Sequence, residues 1–161
     1  MTLSSLVFDA YGTLFDVAAA ARRAATEPAC AAIADTWPKL AADWRDKQLQ
    51  YTWLRAATGY HSDFWRVTQD ALDWTLESHG IADPALRDRL MALYRELDAY
   101  PEVRETLTAL KAQGATLAIL SNGTEAMLAS AIASAGLGDL IDTVMSADAA
   151  GIYKPAPAVY D

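Results

Sequence analysis

Two kinds of apolar pattern alternate along this chain. Three short runs are apolar at successive positions: Leu3 to Phe8, which carries Leu-Val-Phe and runs into Asp9; Thr116 to Leu120, which runs into Ser121 and Asn122; and the shorter Thr143 to Met145. Runs that are apolar on both faces predict strands of a parallel sheet with helices on each side. Elsewhere the apolar residues recur at helical spacing. One helix is predicted from about Pro38, with Trp37, Leu40, Trp44, Tyr51 and Leu54 on a single face. A second runs from Asp63 to about Ser78, with Gly80 as a stop signal. Asp83-Pro84 gives a third its cap and its first-turn proline, and Leu86, Leu90, Leu93 and Leu97 form its buried stripe. Pro101 opens a fourth carrying Val103, Leu107 and Leu110, which Gly114 ends. The last runs from about Thr124 to Ala135 and stops at Gly136.

The predicted order is therefore strand, long helical block, helix, strand, helix, strand. Residues 17–99 far exceed the dozen or so, roughly, that one crossover between parallel strands needs. They are read as a helical cap inserted into an α/β core made of residues 1–16 and 100–161. No repeat or low-complexity segment appears apart from a bias toward alanine, which favours helices.

Composition narrows the partners. The formal net charge is -8 and no basic cluster occurs, so nucleic acid and anionic membrane are poor partners. One cysteine, Cys30, excludes a disulfide framework within the chain and is read as a small packing residue. The start MTLSSLVFDA lacks the basic and long apolar regions of a signal peptide, and no segment reaches membrane-spanning length. A cytoplasmic setting is expected.

Ligands of open parallel sheets bind outside the carboxyl ends of the strands. The residues there are Asp9, Ala10, Tyr11, Gly12 and Thr13 after the first strand, and Ser121, Asn122 and Gly123 after the second. A carboxylate at one strand end thus faces a hydroxyl, an amide and a helix N-terminus suited to an anion. A lone strand-end aspartate would be uninformative, because turns and caps use aspartate freely.

The segment Phe8-Asp9-Ala10-Tyr11-Gly12-Thr13-Leu14-Phe15-Asp16 resembles the first motif of the haloacid dehalogenase superfamily. Ile119-Leu120-Ser121-Asn122-Gly123 resembles its second motif and Tyr153-Lys154-Pro155 its third. The resemblance implies a Rossmann-like parallel sheet core with an inserted helical cap. Most members of that superfamily are magnesium-dependent phosphatases with a second aspartate two residues after the nucleophile, an acid that protonates the departing alkoxide. Tyr11 stands in that place here. Halide leaves as a stable anion and needs no proton, so Tyr11 argues for carbon–halogen substitution without metal or other cofactor.

Residues 44–55, Trp44-Arg45-Asp46-Lys47-Gln48-Leu49-Gln50-Tyr51-Thr52-Trp53-Leu54-Arg55, are similar to the cap signature of the L-2-haloacid dehalogenases. Asp46 departs from it, since glutamine is expected beside the arginine; its carboxylate is placed to pair with Arg45. The resemblance implies that short L-2-haloacids are hydrolysed to D-2-hydroxyacids through an ester on Asp9. It implies Lys154 as the charge that keeps Asp9 ionised, and Thr13, Ser121 and Tyr160 as hydrogen-bond donors to Asp9 or to the substrate carboxylate. Arg45 and Asn122 become the halide cradle, with Tyr11, Leu49 and Phe64 as its apolar wall. Trp53, Trp65 and Trp74 are read as packing within the cap. The partners implied are a 2-haloacid and water, with a homodimer left open. No fourth motif follows Tyr153-Lys154-Pro155, so the chain is read as C-terminally truncated, with an exposed apolar edge strand and little activity of its own. The alternatives are a phosphatase of the same superfamily and an inactive fragment of the dehalogenase.

Overall fold

A computed structural model describes residues 4–160. Three parallel strands, β1 (Ser5–Phe8), β2 (Thr116–Ser121) and β3 (Thr143–Ser146), lie in the order β1-β2-β3. Phe8 pairs with Ile119 and Ser121 with Ser146, so the carboxyl ends of the strands are level. Leu3, the first residue of the predicted strand, lies outside the described residues. Coverage of the sheet is uneven. Leu117, Ala118 and Ile119 of the central β2 are buried, whereas Val7, Val144 and Met145 on the flanking strands are exposed. Burial on both faces, expected of all three strands, is found only in β2.

Between β1 and β2 the chain forms α1 (Ala19–Ala24), a 3-10 segment Pro28–Ile33, α2 (Trp37–Thr58), α3 (Phe64–Ser78), α4 (Pro84–Tyr94) and α5 (Val103–Ala112). Helix α6 (Glu125–Ser134) joins β2 to β3. The predicted cap at Asp83 forms, accepting from Ala85 N and Leu86 N at 2.9 and 3.0 Å. The predicted helix starts near Asp63 and Thr124 are capped as well, Asp63 accepting from Arg66 N at 2.7 Å and Thr124 from Met127 N at 3.2 Å. Leu86, Leu90, Leu93 and Leu97 are all buried.

Two parts differ from the expectation. Helix α1 was not foreseen, because it has no large apolar residue. Its buried side chains are Ala19, Ala20, Ala21 and Ala24, small enough to let α2 and α4 pack closely against it. The buried face of α2 is Leu40, Ala41, Trp44, Gln48 and Thr52, while Trp37 and Tyr51 are half-buried and Leu54 is 60% exposed. An apolar pattern misplaces this face because two of its inner positions are polar and satisfied by hydrogen bonds.

The chain leaves the sheet layer and returns to it at adjacent points. Asp16 N donates to Asp98 O at 2.8 Å and Tyr100 N to Leu14 O at 3.1 Å. Helices α1 to α4 therefore hang from one paired crossing, beside the carboxyl end of β1.

Candidate active site

After β1 the backbone turns sharply. The amides of Thr13, Leu14 and Phe15 all donate to Ala10 O, at 3.2, 2.8 and 3.0 Å, and Gly12 takes φ +88°. That turn leaves Asp9 at the strand end and folds Tyr11 inward. Tyr11 is buried and stacks on Tyr94 with centroids 5.8 Å apart and planes 10° apart, with Phe64 and Phe15 at 5.8 and 6.0 Å. Burial first, then the neighbouring Tyr94, push its phenol far above the ordinary tyrosine value. Tyr11 is a neutral aromatic wall at every physiological pH.

Lys154 reaches across from the loop after β3. Its Nζ donates to Asp9 Oδ1 at 2.6 Å and to Leu120 O at 2.8 Å, and its backbone N donates to Asn122 Oδ1 at 2.8 Å. The Asp9 side chain is 41% exposed and that of Lys154 20%, so the pair lines a wet cleft rather than a sealed core. In such a place the pair orients Asp9 more than it stabilises the fold. Ser121 is buried, and its Oγ accepts from Gly123 N at 3.2 Å. A side chain at Gly123 has no room, since a Cβ there meets Tyr11 Cε2 at 2.6 Å.

From the other side comes α2. Arg45 Nη2 donates to Tyr11 O at 2.7 Å and Nη1 to Gln48 Oε1 at 2.8 Å. No ion pair joins Arg45 to the exposed Asp46 among the described residues, so the pairing that Asp46 left open in the sequence does not form. A guanidinium engaged by two neutral oxygens keeps its full charge and three further N–H donors.

These groups enclose a cleft of about 150 Å³ lined by Asp9, Tyr11, Arg45, Leu49, Thr52, Trp53, Phe64, Ser121, Asn122 and Lys154. Eight of those were named from sequence. Thr13 and Tyr160 were also named, yet neither lines the cleft. Thr13 is exposed on the turn, and Tyr160 is 59% exposed beyond the 3-10 turn Pro157–Val159. Thr52 was missed, and Trp53, read as cap packing, is 57% exposed and stands at the cleft. The signal for both was spacing: Thr52 and Trp53 lie three and four residues after Leu49, which itself lies four after Arg45, so each falls beside Leu49 on the side of the helix that carries Arg45.

The sequence profile of the haloacid dehalogenase-like hydrolases matches residues 4–161. The chain is 44% identical over 160 residues to the (S)-2-haloacid dehalogenase 4A of Burkholderia cepacia, covering 99% of this chain and 67% of that protein. A crystal structure of a dehalogenase superimposes with a TM-score of 0.90 at 41% identity, over 99% of this chain and 69% of the other. The L-2-haloacid dehalogenase of Xanthobacter autotrophicus with chloropropionic acid covalently bound gives 0.85 at 39% identity, over 98% of this chain and 62% of the other. The chain spans about two thirds of the first two of these relatives. With its strand-end aspartate, its Lys154 partner and this match along nearly its whole length, the chain belongs to the haloacid dehalogenase-like hydrolases.

Proposed function

We propose that the chain carries the chemistry of hydrolytic (S)-2-haloacid dehalogenation, with a helical cap of residues 17–99 closing on a core of residues 1–16 and 100–161. The observation that carries the reading is Asp9 at 2.6 Å from Lys154 in a cleft whose opposite wall is a charge-bearing Arg45. Lys154 engages Oδ1, and Oδ2 has no hydrogen-bond partner among the described residues, so Oδ2 is the attacking atom. It displaces halide from C2 of the acid with inversion, giving an ester between Asp9 and C2. Water then adds to the carboxyl carbon of Asp9, the 2-hydroxyacid leaves with one water proton on its new hydroxyl, and the other is lost to solvent as the Asp9 carboxylate re-forms.

Arg45 and the side-chain nitrogen of Asn122 stabilise the departing anion. That nitrogen has no hydrogen-bond partner among the described residues, which leaves it free to donate. Leu49, Phe64 and Trp53 keep water from this side of the cleft. Thr13, Ser121 and Tyr160 are the further polar groups proposed for the reaction, and of these only Ser121 stands at the cleft. The phosphatase alternative fares worse, because the position an acid would hold is a buried phenol with a strongly raised pKa. A cytoplasmic setting fits the single buried thiol, Cys30. Homodimer formation is the remaining expectation, open to sedimentation.

Incubation with (S)-2-chloropropionate followed by peptide mass spectrometry is the direct test. An ester on the Asp9 peptide, absent in Asp9→Asn, is the expected result. Faster turnover of p-nitrophenyl phosphate in magnesium than of any 2-haloacid would overturn the reading.

A further inference from the structure

We infer that Gln48 is the positioning residue that aims the Arg45 guanidinium into the cleft, and that its neutral amide is what keeps the cation available to an anion. The inference rests on the reading of Arg45 as the halide-facing charge and goes one layer behind it.

Gln48 is 1% exposed, in the middle of α2, three residues after Arg45. A buried glutamine must satisfy two donors and an acceptor, and here all three are engaged. Its Nε2 donates to Thr68 Oγ1 at 2.7 Å and to Tyr94 OH at 3.1 Å, and its Oε1 accepts from Arg45 Nη1 at 2.8 Å. Thr68 dictates the orientation. Its hydroxyl hydrogen is committed to Phe64 O at 2.7 Å, so its oxygen can only accept from Gln48. The amide nitrogen therefore faces Thr68, and the amide oxygen faces Arg45. Helix α3 thus sets the direction of a side chain on α2, and Trp44 Nε1 donating to Thr68 O at 2.9 Å ties the same two helices together.

The ring of contacts closes through aromatic groups. Tyr94, fully buried, lies parallel to Tyr11, and Tyr11 O accepts the second Arg45 nitrogen, Nη2, at 2.7 Å. Two terminal nitrogens held by two fixed oxygens define the plane of the guanidinium. A carboxylate in place of the amide would hold the same plane while cancelling the charge. An aliphatic side chain would keep the charge and release the plane. Glutamine is the residue type that gives both.

Side-chain NMR of 15N-arginine-labelled protein, titrated with bromide, separates these effects, with the Arg45 signal assigned from Arg45→Lys. The unsubstituted chain is expected to show a restrained Arg45 guanidinium that shifts on bromide addition. In Gln48→Leu that guanidinium should rotate freely and bromide affinity should fall by about tenfold, the equivalent of one charge-assisted hydrogen bond. Gln48→Glu, which preserves volume, should keep the guanidinium restrained but bind bromide about tenfold more weakly at neutral pH. Affinity should return on acidification as the introduced carboxyl protonates, a response that a purely structural role would not give. An Arg45 signal and a bromide affinity unchanged in Gln48→Leu would overturn the inference. If that variant does not fold, equal affinity of Gln48→Glu and the unsubstituted chain across the pH range would overturn it instead. Release of Arg45 in Gln48→Leu without any bromide response in the unsubstituted chain would sustain the positioning role and remove the halide cradle.

Discussion

The two walls of the cleft are held by different means. On the core side, Asp9, Ser121, Asn122 and Lys154 follow strand ends and are fixed largely through backbone groups: Leu120 O under Lys154 Nζ, the Lys154 amide on Asn122, the Gly123 amide on Ser121. On the cap side, Arg45, Leu49, Thr52 and Trp53 ride on one helix, and Arg45 is aimed by a buried network of side chains from α2, α3 and α4. Backbone-held geometry survives most side-chain changes, because the sheet register sets it. A network of side chains loses its geometry with any one member. The core wall should therefore fail through loss of a reacting group, and the cap wall through loss of aim.

The largest expected effect within that contrast is at Arg45. Arg45→Ala should lower dehalogenation by about 10²–10³, as for removal of one preorganised electrostatic group. Arg45→Lys should recover only part, since an ammonium cannot bond Gln48 and Tyr11 O together in one plane. Steady-state halide release measures both. An unchanged rate in Arg45→Ala would show that the cap wall only excludes water.

Gly123 packs against the Tyr11 ring, the core side chain on which the cap residues Tyr94 and Phe64 rest, and there sterics replace hydrogen bonds. A methyl at this position meets Tyr11 Cε2 at 2.6 Å, and the Tyr11 ring is pinned by Tyr94, Phe64 and Phe15. Gly123→Ala should destabilise the chain by about 1–3 kcal/mol, the usual penalty of overpacking. Because displacement of Tyr11 moves the carbonyl that holds Arg45, the variant should also weaken anion binding. Thermal unfolding and bromide titration report the two effects separately, and an unfolding midpoint equal to that of the unsubstituted chain would show that the ring moves aside freely.

The same contrast governs what the sequence revealed. The core wall was legible, because each of its groups lies in a short segment whose strand-turn-helix pattern is local: Asp9 after Leu-Val-Phe, Ser121 and Asn122 after Thr-Leu-Ala-Ile-Leu. The cap at Asp83 and the helix starts near Asp63 and Thr124 were legible for the same reason. The inner face of α2 was not. Burial of Gln48 and Thr52 depends on partners such as Thr68 and Tyr94, distant in sequence, so an apolar stripe had to miss them. Helix α1 escaped because alanine buries as well as any residue where helices approach closely, but contributes little contrast to a pattern. Thr13 and Tyr160 stand apart: their motifs were plain, and among the described residues both side chains are exposed, outside the cleft lining.

The smallest expected effect lies on the core side and away from the cleft. Asp142, at the lead into β3, accepts from Lys111 Nζ at 2.6 and 2.8 Å and from the Leu117 amide of β2 at 2.7 Å. It joins α5, β2 and β3 by the same backbone-anchored means that hold the core wall. The Lys111 hydrogen bond first, and the Leu117 amide second, hold its carboxyl below the ordinary aspartate value of about 3.9. A depressed carboxyl contributes stability that is fully present above the unfolded value and disappears as pH falls through the folded value. Asp142→Asn should thus be less stable than the unsubstituted chain at neutral pH, by an amount that stays level down to about pH 5 and shrinks below pH 4. Anion binding at Arg45 should not change, because no member of the cap network touches this carboxylate. Urea unfolding of both proteins over that pH range measures the difference. A stability gap that persists undiminished in acid would show that Asp142 acts through shape rather than charge, and altered bromide binding would mean that the two walls are coupled after all.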